Sequence, residues 1–180
     1  MANVSDRLGA IETGVKTLKP FLQLLVVAVV ALALWHYLFP SPERIIEKKL
    51  NALAAILSQN PQGNISKAAN VNRIGNFFHP NVSINLEGFG REVSSLQGRS
   101  EIEQTAMAVR QNNIPIGVIF SAIHITTGPE ETNASAIVTA EVKLNDQKEP
   151  IVQDIRLTFE KLDRSWLIRS ATPAKGLKIE

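Results

Sequence analysis

The sequence predicts an α+β domain held behind one membrane-spanning helix. Three features carry this: an uncharged apolar run at 21–39, helical periodicity between 42 and 111, and long strand-like segments from 116 to 172. Helices, a short strand, a further helix and then consecutive strands describe helices layered on one face of a curved antiparallel sheet. The expected division is a short tail at 1–20, a transmembrane helix at 21–39 and a soluble domain at 41–180.

The run from Phe21 to Phe39 contains no Asp, Glu, Lys or Arg. As a helix it would span about 28 Å, close to the thickness of a bilayer core. Pro20 and Pro40 bracket it, and Trp35, Tyr37 and Phe39 gather at its C-terminal end, where aromatic rings favour the water–lipid boundary. It is long for a signal-peptide core, and no small-x-small cleavage site follows. Arg7, Lys16 and Lys19 before it balance Arg44, Lys48 and Lys49 after it. The terminal amine tips the expectation toward a cytoplasmic N-terminus and an exported, periplasmic domain. Val4, Leu8, Ile11, Val15 and Leu18 form a helical stripe in the tail. That stripe suits a membrane surface, a partner helix or a frayed extension of the span.

Ser41, Pro42 and Glu43 read as cap, first helical residue and first-turn acid. Ile46, Leu50, Leu53 and Leu57 then share one face. A second helix, capped by Ser66, carries Val71, Ile74 and Phe78 inward and ends at His79-Pro80. Residues 82–86 alternate as a short strand, and Ser100 with Glu103 forms a capping box for a third helix with Ile102, Ala106 and Val109. Residues 116–126 are apolar on both faces, as in a central strand. Segments 134–144 and 151–162 alternate cleanly, and Asp163-Arg164-Ser165 turns into a last strand from Trp166.

Composition narrows the chemistry. With no cysteine, disulfides, thiolate nucleophiles, cysteine-bound metals and lipid-modified cysteine anchors are all excluded. The net charge is +2 with no block of like charge, which argues against nucleic acid as a partner. His79 and His124 stand far apart without metal-ligand spacing, so neither a metal nor another cofactor is expected.

Phe77-Phe78-His79-Pro80-Asn81-Val82 is similar to the F-x-P-D-V ending of helix two in the NTF2-like superfamily, which includes SnoaL-like proteins. Leu96-Gln97-Gly98-Arg99-Ser100-Glu101-Ile102 resembles that family's G-x-x-x-I start of helix three. Asp163 to Ile168 resembles its G-x-W-x-I final hairpin, with Ser165 in place of the glycine and Asn81 in place of the aspartate. The resemblance spans roughly 43–172. It implies a cone, in which a bent sheet wraps around helices and leaves a pocket at the open end. It leaves the activity undecided, because one fold serves enzymes, binding modules and silent scaffolds.

Members resembling ketosteroid isomerase need a pocket tyrosine, and the single tyrosine here, Tyr37, lies in the membrane run. Dehydratase-like members use a histidine with an aspartate. His124 would share a strand face with Val118, Phe120 and Ala122 and is the candidate base, with Asp154 or Glu87 as partner. Phe78, Phe120, His124, Leu157 and Phe159 would line the pocket. Against catalysis, the charged residues of 134–144 and 151–162 share parity with the outward face, and His79 reads as a helix-end cap. The leading expectation is therefore a non-catalytic accessory or assembly subunit of a membrane or envelope complex. It would contact the bilayer through Phe21, Trp35, Tyr37 and Phe39, and other subunits or itself through the outer sheet face. In layout it is similar to inner-membrane scaffold proteins of type IV secretion. Binding of a small hydrophobic ligand, or SnoaL-like isomerase, dehydratase or hydrolase activity in the cone, is the alternative.

Overall fold

The computed structural model describes residues 25–30, 40–85, 95–144 and 149–174. The chain divides into two units, residues 1–41 and 42–180. In the first, residues 25–30 are helical, and Leu25, Val26, Val27, Val29 and Val30 all expose their side chains. The rest of the 21–39 run, with Phe21, Trp35, Tyr37 and Phe39, and the tail at 1–20 lie outside the described residues. Among the described residues no helix is long and apolar enough to cross a membrane.

The second unit holds helices α1 (Pro42–Leu57), α2 (Asn64–Gly75) and α3 (Gly98–Gln111). Its strands are β1 (Phe78–Asn85), β2 (Ser95–Gln97), β3 (Ile116–Thr127), β4 (Asn133–Leu144), β5 (Ile151–Leu162) and β6 (Ser165–Pro173). They form one sheet in the order β2-β1-β6-β5-β4-β3. All neighbours are antiparallel except β1 and β6, which run parallel, so the sheet is mixed where an antiparallel one was expected.

Helix α1 begins at Pro42 as its cap signal predicts and buries Ile46, Leu50, Leu53 and Ile56. It is tied along β3 at both ends. Thr127 Oγ1 donates to Glu43 Oε1 at 2.6 Å, and the Val118 N–H donates to Ser58 Oγ at 2.9 Å. The strand it covers is the edge of the sheet, not a central one, which is why Ile119 on the other face stays 58% exposed. Helix α2 starts at Asn64 after Gly63 at φ +82°, earlier than Ser66, and stops at Gly75, so His79-Pro80 belongs to β1. Helix α3 starts at Gly98, and Glu101 rather than Glu103 reaches back, its Oε2 accepting the Gln97 N–H at 2.6 Å.

The core joins the inner faces of α1 and the sheet, with Ile46, Leu50, Val82, Val138, Phe159, Trp166 and Ile168 almost wholly buried. Strands β4 and β5 keep the expected parity: Ala134, Ala136, Val138, Ala140, Leu157 and Phe159 point inward. The β5–β6 hairpin turns on Asp163 and Arg164, both left-handed at φ +48° and +67°. Such a turn matches the twist of the strands and prefers glycine at its second position. That position is Arg164, one residue before the Ser165 singled out from the sequence. Arg164→Gly is expected to stabilise the domain by about 0.5–1 kcal/mol by removing the left-handed strain, measured as a raised urea midpoint at constant m-value.

Lys49 is half-buried on α1. Its ammonium donates to the Trp166 carbonyl and lies 5.7 Å from the centre of the Phe77 ring. Burial pushes its pKa below the ordinary 10.5. Between the lowered value and 10.5 the unfolded chain binds more protons than the folded one, so stability rises with pH through that window. Replacing Lys49 with methionine is expected to flatten that rise, as read from urea unfolding at a series of alkaline pH values.

Candidate functional site

A half-open apolar cavity lies where α2 and α3 meet β1 and β2. Arg99 fixes this corner: its Nε and Nη2 donate to the Phe78 carbonyl at 3.0 and 2.6 Å, binding the start of α3 to β1. The cavity has a volume of about 170 Å³ and is walled by Ile74, Phe78, Leu96, Ile102, Val109 and Ile116, with Thr105 and Arg110 as its polar members. Helical spacing explains the wall, since Ile102, Ala106, Val109 and Arg110 share one face of α3.

Arg110 is 3% exposed, an unusual position for a guanidinium. Its Nη2 donates to the carbonyls of Leu57 at 2.8 Å and Ile56 at 3.3 Å, and its Nε to Asn70 Oδ1 at 3.0 Å. Asn70, also buried, donates its amide to the Ile56 carbonyl at 3.3 Å and to Gln59 Oε1 at 3.1 Å. The guanidinium thus caps the C-terminal end of α1, where unpaired carbonyls concentrate partial negative charge. Burial lowers its pKa, yet an arginine starts so high that it keeps its proton at physiological pH. Nη1 has no acceptor, one of two buried side-chain donors in that condition among the described residues, with Trp166 Nε1.

His124 does not face the interior. Ala122 adopts φ +47°, and the β3–β4 register shifts between Ser121 and His124. The extra residue of this bulge reverses the alternation. Before it Val118 and Phe120 turn inward; after it Ile123 and Ile125 do, and His124 is exposed on the outer face. Asp154 is on that face too, accepting from Thr139 Oγ1 at 2.7 Å. It is not aligned with His124, whose row across the sheet continues through Ile137 to Arg156. Glu87 lies outside the described residues. Of the residues expected to line a pocket, Phe78 lines the cavity. Leu157 and Phe159 are packed into the core, Phe159 also bordering a second, open depression, and Phe120 is half-buried against the core.

The outer face has its own features. Thr126, Ser135, Thr158 and Ser170 form a hydroxyl row across four strands, with Thr158 Oγ1 and Ser170 Oγ 2.7 Å apart. An open depression of about 470 Å³ overlaps this row, bordered by Thr126, Ser135, Thr158 and Arg169 and also by Ala134 and Phe159 of the inward set. Glu160 Oε2 lies 3.4 Å from Arg169 Nε and 3.8 Å from His79 Nε2. Nδ1 of His79 accepts the Asn81 N–H at 3.1 Å, which leaves Nε2 to carry the ring proton toward Glu160. His79 is therefore a strand residue tied to an exposed carboxylate, not the end cap of a helix. At these distances and exposures neither contact adds much stability.

Sequence reasoning missed Arg110 and Asn70. A signal existed: Arg110 continues the Ile102–Ala106 stripe at a spacing of four, and Asn70 adjoins Val71 four residues before Ile74. A polar residue on an apolar stripe marks either an error of pattern or a buried network.

The helices layered on a curved mixed sheet match the NTF2-like fold of solved structures. Among solved structures, an NTF2-like protein with a cystatin-like fold from Novosphingobium aromaticivorans matches with TM-score 0.55 and 13% identity, covering 83% of this chain and 88% of that one. A protein from the same organism described as a scytalone dehydratase matches with TM-score 0.54 and 15% identity over 72% and 80% of the two chains. The yeast UBP3-associated protein BRE5 matches with TM-score 0.54 and 10% identity over 72% and 92%. No family model and no curated protein matches the chain. At such identities the likeness establishes the fold and carries no activity.

Proposed function

We propose that this chain is a membrane-tethered NTF2-like domain that binds a small, largely apolar molecule in its half-open apolar cavity. The observation that carries the binding function is the apolar space between α2, α3 and β1, walled by Ile74, Phe78, Ile102 and Val109. Its volume of about 170 Å³ is comparable to a cavity of about 150 Å³ that accepts benzene. The one ionisable residue in the described wall is Arg110, which supplies a fixed charge rather than a proton acceptor, so the reading is retention rather than turnover. A membrane tether rests on the apolar run at 21–39 and on the exposed aliphatic side chains of 25–30.

The test uses the full chain in lipid nanodiscs with fluorobenzene as a ¹⁹F NMR probe. Saturable broadening in the native chain, abolished by the space-filling Ala106→Leu, is expected. Equal signals from both proteins would sink the cavity as the site.

A second reading, assembly into a membrane complex, draws on the outer sheet face. Ile119, Glu141 and Val152 lie in one row, and both aliphatics are nearly 60% exposed. Such a row suits self-association or a subunit contact. Ile119→Lys with Val152→Lys would then dissociate an oligomer in mild detergent. A native chain that is monomeric at every detergent strength counts against this reading.

A further inference from the structure

The inner face of the sheet is sealed at its centre and half-open at one end. Ala136, Val138 and Leu157 are 5% exposed or less. Further along the same face Val142 and Leu144 of β4, Ile151 of β5 and Ile116 of β3 are only half-buried. Strand pairing is incomplete at this end too. Among the described residues β5 pairs with β4 from Ile151 onward, but with β6 only from Ile155, opposite Pro173. The Ala174 N–H donates to the Asp154 carbonyl at 2.8 Å, so the chain is still in register with β5 where the described residues stop.

The residues that follow read as more of the same strand. Continuing from Pro173 opposite Ile155, the register sets Lys175 opposite Gln153, Gly176 opposite Val152 and Leu177 opposite Ile151. Alternation from the buried Ala171 assigns Lys175, Leu177 and Ile179 to the inner face, and Gly176, Lys178 and Glu180 to the outer. Polar thus meets polar at Gln153, and aliphatic meets aliphatic at the half-buried Ile151. The Asp154 carbonyl points toward β6, so Val152, two residues earlier, turns its N–H and carbonyl the same way. Pro150, next in that series, has no N–H for a further full pair.

We propose that residues 175–180 dock along the start of β5 as a continuation of β6. Gly176 would pair with Val152, and Leu177 and Ile179 would cover the half-open apolar row. The occupant is this chain's own segment, because Ala174 already bonds to β5 and Lys175 to Leu177 suffice to reach Ile151 at the rise of a strand. Docking would also satisfy a stretch of strand edge that otherwise invites pairing with another chain.

The chain has no cysteine, so paired cysteines test the register directly. The full chain in lipid nanodiscs would carry Val152→Cys with Gly176→Cys, opposite one another at a spacing that a disulfide can bridge. An intramolecular disulfide is expected on mild oxidation, read by intact mass and non-reducing electrophoresis. Val152→Cys with Leu177→Cys is the offset control. A step of one residue puts the second thiol on the other face, and this pair is expected to stay reduced. Equal cross-linking of both pairs, or of neither, would overturn the proposal. A disulfide joining two copies would give this edge to a second chain and overturn it as well. Hydrogen exchange supplies a readout without cysteines. Deleting residues 175–180 is expected to speed exchange of the Val152 amide about tenfold, through loss of one backbone hydrogen bond, while the Val138 amide stays unchanged. Unchanged exchange at Val152 would also overturn the proposal. If the deletion speeds Val138 too, the cysteine pairs decide.

Discussion

Replacing Phe159 with alanine is expected to destabilise the domain by about 3–5 kcal/mol, lowering the melting temperature by roughly 10–20 °C. Phe159 is 1% exposed at the centre of the sheet, opposite Ala134 on β4 and Ile168 on β6. Its small neighbour Ala134 cannot expand into the vacated space, so the loss combines transfer of the ring to water with a residual cavity. Phe159→Leu should lose less, because most of the volume stays filled. Ile119→Ala, on the exposed side of the edge strand, should stay within about 0.5 kcal/mol. Thermal and urea unfolding followed by circular dichroism measure all three. A Phe159→Ala variant as stable as Ile119→Ala would mean that the core is not where the burial pattern puts it.

The second large effect belongs to Arg110. Arg110→Ala is expected to cost about 2–4 kcal/mol, because the carbonyls of Ile56 and Leu57 and Oδ1 of Asn70 lose donors inside the protein. Two terms oppose each other. Removing the guanidinium relieves the penalty of a buried charge, while stranding its acceptors adds a penalty for each. The acceptors win because they end helix α1 and have few alternatives. Arg110→Met, which keeps the apolar bulk of the stem, should recover part of the loss. Combining Arg110→Met with Asn70→Leu should depart from additivity by about 1 kcal/mol or more, since the two side chains serve one network. Additive losses would show that Asn70 and Arg110 act separately.

These two residues differ in how openly the chain announces them. Phe159 sits in the alternating series Ile151, Ile155, Leu157, Phe159, and a period of two assigns it to the inner face before any pairing is known. Arg110 sits on an apolar stripe, where the pattern alone favours reading it as a stray surface charge. Its burial depends on the carbonyls of Ile56 and Leu57, more than fifty residues earlier. The His124 side chain fails for a more local reason. Strand parity propagates only while the backbone stays regular, and one left-handed residue at Ala122 inverts everything after it. Alanine gives no warning of that conformation, as glycine would. The reversal carries His124 to the outer face.

The sequence by itself determined the apolar run at 21–39, the helical faces of α1 and α3, and the inward sets of β4 and β5. All of these depend on the period of one element, which neighbouring residues suffice to set. The three motif resemblances added the fold, because they mark the joints between elements. Tertiary structure alone decided the parallel pairing of β1 with β6, the edge position of β3, and the meeting of Asn70 and Arg110 at the end of α1. Each of these brings together residues distant in sequence, where the free energy comes from satisfying one element's donors and apolar surface with another's. The cavity belongs to that second group. It is the space that α2, α3, β1 and β2 leave between them, bordered also by Leu57 of α1 and Ile116 of β3.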